Sequence, residues 1–289
     1  MDFLDKFDAV VIENDSRISP LDKEYCEAHQ KAYDSARLIL QELKIIWETM
    51  LDSQKEQLKG TSDSPTLYLT GSDKLSVSLS GIQQQIRSTH ATFIGKIVRH
   101  FNQVYHVTIS ESDVETALMP EKPERSWRRF NEEEWEAYEA ALDVLQVQYT
   151  DIVDQIFAQM DGRGLWDQAI HELKESCHNG AWNSYNEKPQ FERKKAFIQF
   201  SHAADHSGDL IHSMKNVIRG LAHYETGVIG VIPSEFTSLL EYHQKESYEF
   251  TDCKKTQKIR IFRNGRVDIR FISEETAQTF INEYLGTVY

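Results

Sequence analysis

The segment at residues 258–271, which reads KIRIFRNGRVDIRF, limits the fold of this chain more than any other. A two-residue turn would mix apolar and charged side chains on both faces of a hairpin. A three-residue loop ending at Gly265 instead pairs Ile261 with Val267, and it places the glycine where a type I turn plus bulge needs a left-handed residue. The sequence therefore predicts an antiparallel hairpin in this second register. Its apolar face would carry Ile259, Ile261, Val267, Ile269 and Phe271.

Three segments, at residues 21–59, 80–105 and 131–156, repeat apolar residues at alternating steps of three and four. This spacing predicts long helices that bury their stripes against one another, because isolated propensity does not hold such helices together. In the first helix, the predicted buried stripe consists of Tyr25, His29, Ala32, Ala36, Ile39, Leu43, Ile46 and Met50.

Further elements are expected in the second part of the chain. Helices are predicted at residues 165–177 and 191–224, the latter with an interruption near Gly208, and residues 228–232 are predicted to form a short buried strand. Residues 66–79 alternate apolar and polar positions around a Gly-Ser-Asp-Lys turn, which predicts a second small hairpin.

These elements predict an α+β fold that is predominantly α-helical, a bundle of long helices with small antiparallel hairpins near 66–79 and at 258–271. The stretch at residues 119–129 contains two prolines and mixed charges, which favour a boundary between domains. We therefore expect a helical N-terminal half at residues 1–120 and a helical C-terminal half at 121–289.

Composition narrows the classes of protein that remain. The chain has 289 residues and a net charge of −14, which argues against non-specific binding to nucleic acid or to anionic membranes. We found no run of about 18 apolar residues and no positively charged leader, so neither membrane insertion nor export is expected and a cytoplasmic location is predicted. The three cysteines are far apart, which argues against a disulfide framework and a structural zinc site.

The charge is unevenly distributed along the chain. Residues 111–161 carry 14 acidic and 4 basic side chains, whereas residues 251–270 carry 2 acidic and 7 basic ones. The basic segment therefore has acidic partners available, either within this chain or on another protein.

Residues 202–212 contain the densest set of metal-ligand side chains. On a helix over 191–224, the histidines and aspartates of this segment would share one side. His202, His206 and Asp209 would then present two imidazoles and a carboxylate to a divalent zinc or iron ion, the one cofactor that these residues suggest. The apolar residues of the same helix lie on another side, so the pattern is more simply interpreted as a solvated face with His-Asp pairs.

The second face of the C-terminal hairpin is cationic and aromatic. A phenylalanine among cations supplies the contacts that single-stranded nucleic acids use, stacking and phosphate pairing. The pattern favours a structural interpretation over this one, namely a charged outer face on a two-stranded ribbon, or docking onto the acidic middle segment of the chain or onto a partner protein. The candidate nucleic-acid-binding residues are Lys258, Arg260, Phe262, Arg263, Arg266 and Arg270.

The strand, the Arg-Asn-Gly-Arg loop, the second strand and the helix predicted after it resemble the ending of an uncharacterised bacterial family. That family is carried on plasmids and integrative elements, sometimes beside DNA methyltransferases. The resemblance covers about a tenth of the chain and implies an accessory protein of a mobile element, without implying any catalytic residue.

The phosphate-cradling, dinucleotide and nucleophile-elbow motifs that we searched for do not occur in the sequence. We interpret the chain as a non-catalytic protein that acts by binding other macromolecules, with a protein partner expected and a homodimer compatible with its long helices. Two alternatives stay open. One is a metal-dependent hydrolase that uses the His/Asp segment, and the other is a nucleic-acid-binding protein that uses the basic hairpin.

Overall fold

The computed structural model describes residues 17–61, 78–123, 131–182, 187–241 and 246–286. Within these ranges the protein has nine α-helices and one antiparallel sheet of five strands, which confirms the predicted α+β, mainly helical fold. The hairpin predicted at 66–79 falls outside the described residues except for its last two positions. No helix in the described ranges combines the length and apolarity needed to cross a bilayer.

Five helices form the first part of the chain. They are α1 (Pro20–Gln57), α2 (Leu79–Tyr105), α3 (Glu111–Leu118), α4 (Glu132–Val144) and α5 (Tyr149–Gln159).

The second part contains the remaining four helices and all five strands. In chain order these are α6 (Leu165–Gly180), β1 (Gln190–Glu192), β2 (Phe197–Phe200), α7 (His212–Thr226), α8 (Ser234–Leu240), β3 (Ser247–Glu249), β4 (Thr256–Ile261), β5 (Val267–Phe271) and α9 (Glu274–Phe280).

The chain divides into two compact units. Unit 1 comprises the described residues of Met1–Val104 and Ile109–Gly164, and unit 2 comprises those of Tyr105–Thr108 and Leu165–Tyr289. The boundary expected at residues 119–129 lies inside unit 1 instead, because α3 on one side of it packs against α5 on the other.

Helix α1 lies close to its predicted span, but it buries a different face. The Ser19 hydroxyl accepts a hydrogen bond from the Asp22 N–H, and the Asp22 carboxylate accepts one from the Ser19 N–H, which caps the start of the helix. The predicted stripe is wrong as a core face, since Ile39 is 60% exposed and Ile46 is 56% exposed. The residues that α1 buries are Asp22, Cys26, Gln30, Tyr33 and Arg37.

The helix predicted over 131–156 is interrupted after α4, so that prediction is wrong as a single helix. The Gln30 side chain donates to the carbonyl of Val147 (3.1 Å) and accepts from the N–H of Tyr149 (2.7 Å). The hydroxyl of Tyr33 accepts from the N–H of Val147 (3.2 Å). Polar side chains of α1 thus replace the hydrogen bonds that a continuous helix would have made.

The sheet of unit 2 has the strand order β1-β2-β5-β4-β3, with every neighbouring pair antiparallel. The predicted hairpin register is confirmed, because Ile261 pairs with Val267 and Ile259 with Ile269. Gly265 has a φ of +80°, as the turn requires. The five residues of the predicted apolar face are all buried.

The helix predicted over 191–224 is wrong for most of its length. β1, a 3-10 turn (Arg193–Lys195) and β2 occupy its first part, and only α7 at its end is helical. Ala196 and His202 both have a φ of +50°, which an α-helix does not accept. Ile198 and Phe200 are buried where β2 pairs with β5, so tertiary packing overrides the local helical pattern.

Candidate nucleic-acid interface

The sheet of unit 2 has one buried face and one open face. Alternation along the strands directs Ile198, Ile259 and Ile269 into the core, and all three are fully buried. Their strand neighbours point the other way and form what we call the open face. By register, the open face carries Gln190, Glu192, Phe197, Gln199, Ser247, Glu249, Lys258, Arg260, Asp268 and Arg270, with Phe262 and Arg266 where the hairpin loop begins and ends.

A phenylalanine ring in contact with two arginine guanidinium groups is the main feature of the open face. The Cζ atom of Arg266 lies 3.8 Å from the centroid of the Phe262 ring, and the Cζ atom of Arg260 lies 4.7 Å from it. Both distances are within the range of cation–π attraction. The Phe262 ring and the two guanidinium groups therefore form one contiguous group, which we call the platform.

Asp268 orients one of these arginines. Its carboxylate accepts a hydrogen bond from Nη2 of Arg266 (3.3 Å), and its second oxygen lies 3.2 Å from Nε of the same side chain. Partial burial raises the pKa of Asp268, whereas the charges of Arg266 and Arg260 oppose that rise. The carboxylate holds the Arg266 guanidinium over the Phe262 ring instead of leaving it extended into solvent.

The remaining predicted cations are less constrained. The Lys258 ammonium pairs with Glu249 on the neighbouring strand (2.8 Å), and the 94% exposed Arg263 side chain lies 3.5 Å from Glu246. Arg270 is exposed. Exposed ion pairs of this kind are weak, so these cations can exchange an acidic neighbour for a phosphate at little cost.

Sequence reasoning missed the contribution of β1 and β2 to this surface. Phe197 is paired with Arg270 and adds a second, partly exposed aromatic residue to the open face. The adjoining turn, Arg193–Lys195, adds three exposed cations, and the carbonyl of Ala196 accepts from the N–H of Phe271 (2.9 Å), which fixes the turn beside the end of β5. The alternation in Phe-Ile-Gln-Phe at 197–200 was the available signal.

The hairpin loop rests on the segment before α7. The carbonyl of Gly265 accepts hydrogen bonds from the N–H groups of Ala203 (2.7 Å) and Ala204 (3.0 Å). A β-carbon at position 265 would lie 2.6 Å from the carbonyl oxygen of Ala204, so only glycine fits this contact. These bonds position the loop and hence the arginine platform beside it.

The same segment contains the residues predicted as metal ligands, and it is not helical before His212. Asp205 forms a turn in which its Oδ1 atom accepts from the N–H groups of Ser207 (2.8 Å) and Asp209 (2.9 Å). The shared helix side expected for His202, His206 and Asp209 is therefore not formed. Across the described parts of the chain, no three His, Cys, Asp or Glu side chains are grouped as a metal site would require.

Negative charge is concentrated in the sequence before residue 165. Residues 165–289 contain 15 Lys and Arg against 17 Asp and Glu, whereas residues 1–164 contain 17 against 29. The part of the sequence that builds the open face is therefore close to neutral, and the overall charge of −14 describes mainly the part before it.

No protein-family model, curated protein or solved structure matches this chain.

Proposed function

We propose that the protein is a non-catalytic binding protein that binds single-stranded nucleic acid on the open face of its sheet. The observation that supports this proposal is the platform formed by Phe262, Arg260 and Arg266. Phenyl rings and guanidinium planes both stack on unpaired bases, and antiparallel sheets with exposed aromatic residues are a general way of presenting them.

Cations on both sides of the platform supply phosphate contacts. The turn Arg193–Lys195 and the exposed Arg270 are at one end of the paired strands, and Arg263 is in the hairpin loop at the other. A strand that crosses β2, β5 and β4 would meet aromatic and cationic groups in succession. Its affinity should fall with salt, with a logarithmic slope of about −0.7 for each phosphate contact.

The thiols of the chain give no support to a nucleophilic enzyme. Burial raises the pKa of Cys26 to about 12, and burial together with the Glu235 carboxylate raises that of Cys253 to about 12. Burial also raises the pKa of Cys177. All three thiols would stay protonated at neutral pH, which is unfavourable for nucleophilic catalysis.

A binding assay with a fluorescent single-stranded oligonucleotide tests the proposal. The double variant Arg260→Gln/Arg266→Gln should raise the dissociation constant at least about tenfold, because one stacked base contributes about 1–3 kcal/mol. Fluorescence anisotropy at several salt concentrations measures both the dissociation constant and the slope.

The control is Lys174→Gln/Lys215→Gln, which removes the same charge from α6 and α7 of unit 2. This variant should bind nearly as tightly as the wild type. Equal losses of affinity in the two double variants would indicate general charge attraction. An unchanged affinity in the arginine variant would show that the platform is not part of the binding site.

The predicted stripe of α1 supports a second candidate function, which is self-association. Ile39, Leu43, Ile46 and Met50 are spaced by four, three and four residues, and they are 60%, 38%, 56% and 41% exposed. They lie on the side of α1 away from its buried face, so the core formed by the described residues of unit 1 does not use them. This is the spacing by which helices of separate chains pair, and we propose a second copy of the chain as the partner.

Light scattering after size-exclusion chromatography tests self-association. The wild type should elute with at least twice the monomer mass of 33.6 kDa, and Ile39→Gln/Ile46→Gln should elute as the monomer. The control Leu21→Gln/Val144→Gln changes two side chains that are 77% and 75% exposed, and it should leave the mass unchanged. A wild type that stays monomeric at all concentrations would exclude this partner.

A further inference from the structure

Unit 2 contains a cavity of about 410 Å³ that is separate from the open face of the sheet. Its walls come from α6, α7, the segment after α2 and the loop at residues 228–232. The predicted buried strand at 228–232 is wrong, because this loop is irregular and Val228 and Val231 are about half exposed. The cavity volume is within the range typical of small-molecule sites, about 300–1,000 Å³.

Most of the cavity wall is apolar. The side chains of Leu173 and Ala222 contribute from the two helices, and Val228, Ile229 and Ile232 contribute from the loop. An apolar wall of this kind binds the carbon skeleton of a ligand and excludes water from it.

Gly230 lets the loop close on the imidazole of His106. The glycine has a φ of +75°, and a β-carbon there would lie 2.4 Å from Nε2 of His106. The loop backbone and the His106 ring are therefore in direct contact, and they form one side of the cavity together.

Arg219 is the cation of the cavity lining. Its Nη1 atom donates to the side-chain oxygen of Asn216 (2.7 Å), and the described residues offer no carboxylate to the guanidinium. The carboxylate of Glu172, which also lines the cavity, already accepts from the N–H and hydroxyl of Thr108 (2.9 and 2.7 Å) and from the amide of Gln168 (2.8 Å). Both oxygens of Glu172 are thus occupied by neutral donors, whereas the exposed Arg219 guanidinium keeps N–H groups that can donate to a ligand.

His223 adds a neutral polar group to the lining. Its side chain is only 9% exposed, and Nδ1 shares a hydrogen bond of 2.7 Å with the hydroxyl of Tyr284, so Nε2 is the ring nitrogen left for a ligand. Burial lowers the pKa of His223, and the nearby charges of Lys174 and Lys255 lower it further.

We propose that this cavity binds a small organic anion with an apolar body, of the alkyl carboxylate class. The carboxylate accepts hydrogen bonds from the Arg219 guanidinium, and the alkyl body lies against Leu173, Ala222 and the loop at 228–232. Neither a cation nor a fully apolar ligand would satisfy the guanidinium, and a large polar ligand would leave the apolar wall unmatched.

The proposal is tested by isothermal titration calorimetry of the full-length protein with octanoate. The uncharged analogue 1-octanol, which has the same number of carbon atoms, is titrated for comparison. Octanoate should bind at submillimolar concentration and more tightly than 1-octanol. Arg219→Gln should weaken octanoate binding at least about tenfold, because a charge-assisted hydrogen bond is lost, and it should change 1-octanol binding little.

Two further variants separate a loss of ligand binding from a general loss of folding. Val231→Glu introduces a carboxylate at a half-exposed position of the lining and should weaken octanoate binding as strongly as Arg219→Gln does. Lys215→Gln removes a cation from the same helix outside the cavity and should leave binding unchanged. Absence of octanoate binding to the wild type, or equal binding by wild type and Arg219→Gln, would overturn the proposal.

Discussion

Replacing Gly265 by alanine is expected to lower the free energy of unfolding of unit 2 by about 3 kcal/mol, one of the largest effects of any single methyl group in this chain. Two costs add at this position. A left-handed backbone costs a non-glycine residue about 1–2 kcal/mol. The new β-carbon would also lie 2.6 Å from the carbonyl oxygen of Ala204, a backbone atom that cannot rotate away.

Hydrogen exchange at the amides of β4 and β5 measures this loss of stability within unit 2. Global unfolding of the whole chain is less suitable, because its transition combines the two units. Gly208→Ala is the matched control. Gly208 has a φ of +84° and lies in the same unit, but a β-carbon there would meet no atom within 4 Å. The free energy of unfolding of the control should fall by only about 1–2 kcal/mol. Equal decreases at the two positions would show that the contact with Ala204 does not constrain the loop.

The second large effect is expected where α6 and α7 pack together. A β-carbon on Gly220 of α7 would lie 2.5 Å from Sγ and 2.8 Å from Cβ of Cys177 on α6, which is fully buried. Although alanine favours a helix over glycine by about 1 kcal/mol, Gly220→Ala should be destabilising by about 2 kcal/mol, because the helices must separate.

A double-mutant cycle isolates this contact. Removing the side chain in Cys177→Gly costs stability by itself, but it also removes both atoms that the new methyl group would strike. The double variant Cys177→Gly/Gly220→Ala should therefore be more stable than the sum of the single changes predicts, by at least about 1 kcal/mol. Hydrogen exchange at the amides of α7 in the four proteins gives the coupling within unit 2, and strict additivity would contradict the packing of Gly220 against Cys177.

The C-terminal hairpin could be predicted in detail because the residues that decide its register lie next to one another in the sequence. Only one register separates apolar from charged residues, and the position of Gly265 agrees with that register. The span of α1 was also predicted closely, since the apolar spacing over residues 21–59 is a local signal. The predominantly helical α+β class followed from the same kind of pattern.

The errors arose where partners distant in sequence decide the structure. Residues 191–200 were assigned to a helix because their apolar spacing suits one, yet their pairing with β5 makes them strands. The buried face of α1 was missed because Gln30 and Tyr33 are polar. They are buried because they form hydrogen bonds to the backbone between α4 and α5. Spacing alone does not reveal such partners.

The same distinction applies to the candidate site. The cationic hairpin residues were predicted, but the stacking of Arg266 on Phe262 and its orientation by Asp268 depend on geometry across the loop. Phe197 and the turn Arg193–Lys195 were missed as part of the surface because the strand that carries them was not recognised.

Photochemical crosslinking tests the central claim, that the open face of the sheet binds single-stranded nucleic acid, most directly. An oligonucleotide with a photoreactive base would be irradiated with the full-length protein, and the modified peptides would be identified by mass spectrometry. We expect crosslinks in the β4–β5 hairpin, with Phe262 among the modified residues, and fewer of them in Arg260→Gln/Arg266→Gln. Crosslinks confined to unit 1 or to α6 and α7, or no crosslink at all, would contradict the claim.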